Sequence, residues 1–318
     1  MRTKLQRPIV VGVDGTDQGR LAVRYAVLEA QRLGCGLRLV HATPETVPMA
    51  PMVPLISVDT LDQVSHRIVN EGKQLAYDVT DGEIQVEKLV QSGSRVHILM
   101  GAAEDARLIV LGHRDRSILG RFFTSSTCTG VASRAHCPVV CVPTIWTPGS
   151  RHGRVVVGVE GPEHSQDAMG VAFAAAAERK AKLTVLHAWK LQSPYDDIIV
   201  SRAAVEEWKG SATAMLEQVL GDWREAYPEV DVEIDVRHQH TAPALVGATE
   251  GADLLVLGRR GRGAPFGIHL GSTARTLIRE SRCPVEIAPP RLSQDILPSR
   301  RLITAGVATN LIRVAGRR

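Results

Sequence analysis

Five short apolar runs mark the first half of the chain: IVVGV (9–13), LRLV (37–40), IQVEKLV (84–90), LIVL (108–111) and PVVCV (138–142). They are Val-rich and mostly apolar on both faces, which predicts buried parallel strands. Between them the apolar period lengthens. Leu21, Tyr25 and Leu28 share one face of a helix near 18–33, and Leu61, Val64, Ile68 and Leu75 share a face of another. The second half answers with Met169, Ala172, Phe173 and Ala176, then with Val205, Trp208, Met215, Val219 and Trp223. Alternating strands and helices predict an α/β fold with helices on both faces of a parallel sheet, because parallel neighbours need long, right-handed crossovers. Such sheets bind ligands beyond the carboxyl ends of their strands, where the strand order reverses.

The pattern is written twice. At an offset of 146 residues, IVVGVDG (9–15) falls on VVVGVEG (155–161), LVHA (39–42) on VLHA (185–188), and HCPVVCVP (136–143) on RCPVEIAP (282–289). This spacing is far beyond a solenoid repeat, so it predicts duplication of a whole domain. The expected units are 1–145 and 146–291, followed by an extension, 292–318, that has no counterpart after the first copy.

Composition narrows the class. A hydrophobic content of 44% with 23% charged residues suits a soluble globular protein, and 4% aromatic residues leave the cores to Val, Leu, Ile and Ala. No apolar stretch reaches the roughly 18 residues of a membrane span, and the N-terminal run is too short for a signal peptide. Five scattered cysteines read as reduced, mostly buried thiols of a cytoplasmic protein. His238 and His240 come closest to metal-ligand spacing and are expected to be ordinary surface residues. The net charge of +4 lies in the tail, where Arg291, Arg300, Arg301, Arg313, Arg317 and Arg318 stand against Asp295. The body is close to neutral, so no nucleic-acid partner is expected. Leu302, Ile303, Val307, Leu311 and Val314 give the tail partial helical spacing; a packed or solvated extension is the default, ahead of contact with an anionic membrane.

The chemistry concentrates in GRRGRGAPFGIHLGST (258–273), which follows the apolar run LLVL. Glycine tolerates positive φ and lets a phosphate approach the main chain, and a helix opening at Gly271-Ser272-Thr273 adds unpaired amides and the positive end of its dipole. Ser272 and Thr273 can cap that helix or donate to a phosphate. Each charge-assisted bond contributes about 1.5–3 kcal/mol. The stretch is not a P-loop, because Gly271 rather than Lys precedes Ser272. Nor is it a dinucleotide fingerprint, because Phe266 stands where the third glycine belongs. It fits G-x2-G-x9-G-[ST] through Gly258, Gly261, Gly271 and Ser272.

That motif, the first strand ending in Gly-Val-Asp/Glu-Gly, the His at the second strand end and the Cys-Pro-Val close resemble the universal stress protein family, in its ATP-binding branch. The resemblance implies two five-stranded Rossmann-like sheets of strand order 3-2-1-4-5, with ATP, with or without Mg2+, over the strand ends. On the second copy it implies contacts at Gly158, Val159, Glu160, Gly161 and Ala188, with phosphates on Gly258, Gly261, Gly271, Ser272 and Thr273. On the first copy the matching positions are Gly12, Val13, Asp14, Ala42, Gly112 and Ser126. It also implies that the final strands pair as in a covalent dimer, with a further homodimer conceivable.

The first copy departs from the motif. Asp115 replaces the second glycine and Ser125 the third. A side chain at positive φ costs about 1–2 kcal/mol, and a carboxylate about 5 Å from a phosphate charge costs up to about 3 kcal/mol at an effective dielectric near 20. Arg114, Arg116 and Arg121 offset part of this, so weakened binding is expected there and the main site in the second copy. Glu160, one methylene longer than aspartate, is that copy's own departure. Arg259, Arg260 and Arg262 face solvent, with at most one or two reaching a phosphate. His41 and His187 read as structural. No acidic residue between 258 and 273 offers a water-positioning base, so binding with at most weak ATPase activity is expected. Two alternatives stay open: a hydrolase or transferase with Glu160 or His187 as base, and a partner-binding protein with an empty site.

Overall fold

The computed structural model describes residues 7–44, 58–113, 125–190, 202–259 and 270–290. The first half runs β1 (Ile9–Gly12), α1 (Asp17–Leu33), β2 (Leu37–Thr43), α2 (Val58–Thr80), β3 (Val86–Ser92), α3 (Arg95–Ala102), β4 (Leu108–His113), α4 (Ser125–Ala132) and β5 (Val139–Pro143). The second half repeats this as β6 (Arg154–Val159), α5 (Pro162–Arg179), β7 (Lys182–Trp189), α6 (Arg202–Ala226), β8 (Val232–His238), α7 (Thr241–Ala248), β9 (Leu254–Gly258), α8 (Ser272–Glu280) and β10 (Val285–Ala288). The expected extension from 292 lies outside the described residues, as do Asp115 and Gly261.

The ten strands of the described residues form one sheet, ordered β3-β2-β1-β4-β5-β10-β9-β6-β7-β8. Each half has the order 3-2-1-4-5 and is parallel throughout. The halves meet at one antiparallel seam, where Val285 pairs with Cys141, Glu286 with Val140 and Ile287 with Val139. This pairing fits a pseudo-two-fold axis perpendicular to the sheet, since rotation about such an axis reverses strand direction while joining edge to edge. Among the described residues no helix is long and apolar enough to cross a membrane.

The two faces of the sheet differ. On one, a continuous apolar core crosses the seam, from Ile98, Leu99 and Val131 to Leu245, Leu277 and Ile278. On the other, the core is split between the halves, one part around Tyr25, Ala26 and Val69, the other around Phe173, Leu220 and Trp223. Polar groups occupy the gap: Arg179 of α5 donates to Glu29 Oε1 of α1 (2.8 Å) and to Tyr25 Oη (3.3 Å). Glu286 of β10 lies buried beneath them, and desolvation, only partly offset by Arg179, pushes its carboxyl up to about 8.

Local chemistry places the helix ends. Thr16 caps α1, its hydroxyl accepting from the Gly19 amide, and Gly34 closes the helix at φ 62°. The second copy has Lys180 at the matching C-cap, held at φ 50°. Three expectations need correction. Helix α2 packs Ile68 and Leu75 against the core as the spacing predicts, but its fully buried positions include Ser65, Val69, Gly72 and Ala76, and Val64 is 44% exposed, because small residues let the helix approach the sheet. In α6, Leu216, Leu220 and Trp223 are buried, whereas Trp208 is 39% exposed and set edge-on to Trp189. Strand β3 is the outermost strand among the described residues and only half-buried.

Candidate functional site

A cavity opens at the carboxyl end of the sheet in each half, where β1 and β4, or β6 and β9, send their chains to opposite faces. The first has a volume of about 360 Å³ and is lined by Gly12, Val13, Asp14, Ala42, Arg95 and Gly112, among others. The second measures about 150 Å³ within the described residues, with Gly158, Val159, Glu160, Ala188, Gly258, Gly271 and Thr273 in its wall. Gly161 forms the N-cap of α5, and Ser272 opens α8, without lining that cavity. Ser126 falls in the first turn of α4.

The glycines serve different ends. A Cβ on Gly158 would stand 2.8 Å from Leu257 Cδ2 and 3.0 Å from Leu245 Cδ2, so this glycine keeps the cavity floor flat. A Cβ on Gly112 would meet the Gln18 carbonyl oxygen at 2.2 Å. Gly112 is therefore required by the close approach of α1, independent of any ligand. Gly19 leaves room for Asp14, whose Oδ1 would lie 2.7 Å from an added Cβ.

The acidic residues after the first strands are held differently. Asp14 Oδ1 accepts from the Thr16 amide (3.1 Å) and hydroxyl (2.6 Å), across Gly15 at φ 78°. In the second copy Pro162 replaces that threonine, Gly161 is extended at φ 177°, and no side chain caps α5. The Glu160 amide instead donates to Ser165 Oγ (3.3 Å). One carboxylate is fixed by its own turn, while the other sits on a longer arm. Behind both stands the same histidine contact: His41 Nδ1–H donates to the Val13 carbonyl (2.7 Å), and His187 Nδ1–H to that of Val159 (3.1 Å). A carbonyl accepts only from the protonated nitrogen, so this contact fixes the tautomer and ties the second strand to the first.

At α8, Gly271 occupies the N-cap and no side chain caps it, so neither Ser272 nor Thr273 serves as the cap. The first amides of that helix have no intrahelical acceptor and carry the positive end of its dipole. Arg259 turns away from this site. Its Nη1 donates to the carbonyls of Ala132 (3.3 Å) and Ala135 (2.9 Å) in the other half, and burial lowers its guanidinium pKa. It closes the end of α4, replacing the expected solvent or phosphate contact. His238 also departs from expectation: its ring lies 4.2 Å from that of Trp189, tilted by 30°. Among the described residues no group of three or more His, Cys, Asp or Glu is placed to hold a metal ion.

Arg95 and Thr241 escaped the sequence reading. They begin α3 and α7 and line the first and second cavities respectively. Both helices are eight-residue, largely apolar segments without clear helical periodicity. The 146-residue offset pairs them, and is the signal that could have drawn attention to both.

The duplicated doubly wound halves, their seam and their strand-end clefts define a tandem Rossmann-like α/β protein. The chain belongs to the universal stress protein family, whose model matches residues 6–143 and 152–289. It is 30% identical to the universal stress protein Rv1996 of Mycobacterium tuberculosis over 306 residues, covering 90% of this chain and 96% of that one. It is 31% identical to Rv2623 of the same organism over 299 residues, covering 90% and 97%. The crystal structure of a universal stress protein from Archaeoglobus fulgidus superposes with a TM-score of 0.64 at 18% identity, over 89% of this chain and 98% of that one.

Proposed function

We propose that this protein is a cytoplasmic adenine-nucleotide-binding regulator, holding ATP rather than turning it over, with its main site in the second domain. The observation that carries this reading is the α8 N-terminus. No side chain caps it, Gly271 is its N-cap, and Gly258 and Thr273 face the same cavity. Main-chain amides in such a place favour a polyphosphate without needing a lysine. Ala188 leaves room for a flat base beside the second strand, and Glu160 stands where a ribose hydroxyl would be met. A magnesium ion would come with the phosphates, held by their oxygens and water.

The first cavity is the larger of the two within the described residues, but volume is not affinity: a triphosphate is gripped by donors, and in sequence the first loop has Asp115 where the motif has its second glycine. The hydrolase reading is weaker because His187 is not in the described wall of the second cavity, where Glu160 is the candidate base. The test is recovery of ligand from the purified full chain by denaturation and mass spectrometry, followed by calorimetry of the stripped protein with ATP. Unhydrolysed adenine nucleotide and one tight equivalent per chain are expected. Neither ligand nor heat would overturn the reading.

A further inference from the structure

One side chain at the floor of the first cavity, Cys128, and two buried behind it, Cys141 and His113, have no counterpart chemistry in the second half. Cys128 lies in the first turn of α4 and lines the cavity beside Thr127, Leu111 and Gly112. Its Sγ–H donates to the Gly112 carbonyl at 3.5 Å. Cys141 of β5 pairs in register with Leu111 of β4, and its side chain is buried in the same apolar cluster as Cys128, with the two thiols close enough to perturb one another. His113, two residues beyond Leu111 and so on the same face of the strand, is buried against the Cys128 sulfur. Neither of its ring nitrogens has a conventional hydrogen-bond partner among the described residues. At the 146-residue offset these three become Arg259, Ala274 and Ile287. Ala274 lines the second cavity where Cys128 lines the first, so one cavity has a thiol where its twin has a methyl group.

The environment separates Cys128 from the other four cysteines. The Cys141 contact lowers its thiol pKa against the opposing effect of burial, and His113 adds to the lowering. The start of a helix acts in the same direction. Cys141 is raised by the same contact and by burial. Burial raises Cys35, pushes Cys137 up to about 11 and pushes Cys283 up to about 12.

We propose that Cys128 is a peroxide-reactive thiol at the floor of the first cavity and that Cys141 resolves its oxidation as a reversible disulfide. The Cys128 thiolate attacks one oxygen of hydrogen peroxide; the S–O bond forms, the O–O bond breaks, and the departing hydroxide takes the proton that Cys128 released. The Cys141 sulfur then attacks the sulfenic sulfur. The S–S bond forms, the S–O bond breaks, and the leaving hydroxide takes the Cys141 proton. Two thiols and one peroxide give one disulfide and two waters, with sulfur supplying both electrons. The bridge would tie the first turn of α4, which carries Thr127 in the cavity wall, to β5 at the central seam. This inference does not depend on nucleotide binding in the second domain.

The experiment is titration of the reduced full chain with hydrogen peroxide, alkylation of the remaining thiols after unfolding, and peptide mapping. A Cys128–Cys141 linked peptide that dithiothreitol reverses is expected. Cys128 should be lost about tenfold faster than Cys35, Cys137 or Cys283, as its thiolate fraction requires. In Cys141→Ala the expected product is a dimedone adduct on Cys128, and in Cys128→Ser no linked peptide. Should either variant fail to fold, the order of thiol loss in the unmodified chain decides alone. Cys128 reacting no faster than the other cysteines, or a linked peptide involving any other pair, would overturn the proposal.

Discussion

The two clefts are the same sequence frame carried to different ends. The first retains a carboxylate fixed by its own turn, Asp14 held by Thr16, but has lost the loop glycines and gained a thiol floor. The second retains the glycines and an uncapped helix start but has lost the turn that would fix its acid. What the difference teaches is that the motif mixes two kinds of position. Some glycines belong to the fold and persist in both copies, as Gly12 and Gly158 do beneath leucine side chains. Others matter only if a phosphate lies above them, and those are free to change once the ligand is no longer gripped.

The sharpest way to break this division is Gly112→Ala. Because the new methyl would stand 2.2 Å from a main-chain oxygen of α1, a loss of about 3 kcal/mol is expected, read as a lower urea midpoint. A neutral result would return Gly112 to the ligand-only class.

The next prediction concerns the seam. Glu286 pairs with Val140, its own counterpart at the 146-residue offset, so a carboxyl and an isopropyl group face each other across the pseudo-two-fold. The folded-state pKa of Glu286 is raised to about 8 from an ordinary 4.5. Its contribution is therefore fully present below pH 4.5 and is lost as pH rises toward 8, at up to about 1.4 kcal/mol per pH unit. Glu286→Gln should flatten the fall in urea midpoint between pH 5 and pH 8, in about that proportion. An unchanged slope would assign the pH dependence elsewhere.

The smallest effect compares the helix ends that follow α1 and α5. Lys180→Gly, which copies Gly34 at φ 62°, should stabilise the chain by about 1 kcal/mol. Loss of stability would mean that the lysine stem packs more than its backbone strains.

Much of the architecture was legible because Val-rich runs bury both faces and repeat at a fixed offset. What stayed hidden follows from physics that hydrophobic patterning does not record. The buried face of α2 is built from Ser65, Gly72 and Ala76, whose size matters more than their hydropathy. Helices α3 and α7 lack a polar face, and with them went Arg95 and Thr241. Arg259 reads as facing solvent or at most reaching a phosphate, because it sits in a glycine-rich loop, but the carbonyls it meets lie more than a hundred residues away in the chain. Glu286, a single carboxyl inside PVEIAP, and Arg179, whose charge partly offsets its burial, lie more than a hundred residues apart, so no local pattern links them.

The claim that the second domain holds the polyphosphate grip is tested most directly by equilibrium binding of labelled ATP to Gly261→Asp and Asp115→Gly. The account predicts that Gly261→Asp weakens the tight site by about 3 kcal/mol, more than a hundredfold in Kd, by writing into the second loop what the first already carries. It predicts that Asp115→Gly leaves the tight site unchanged. Unaltered affinity in Gly261→Asp, or loss of the tight site in Asp115→Gly, would contradict it.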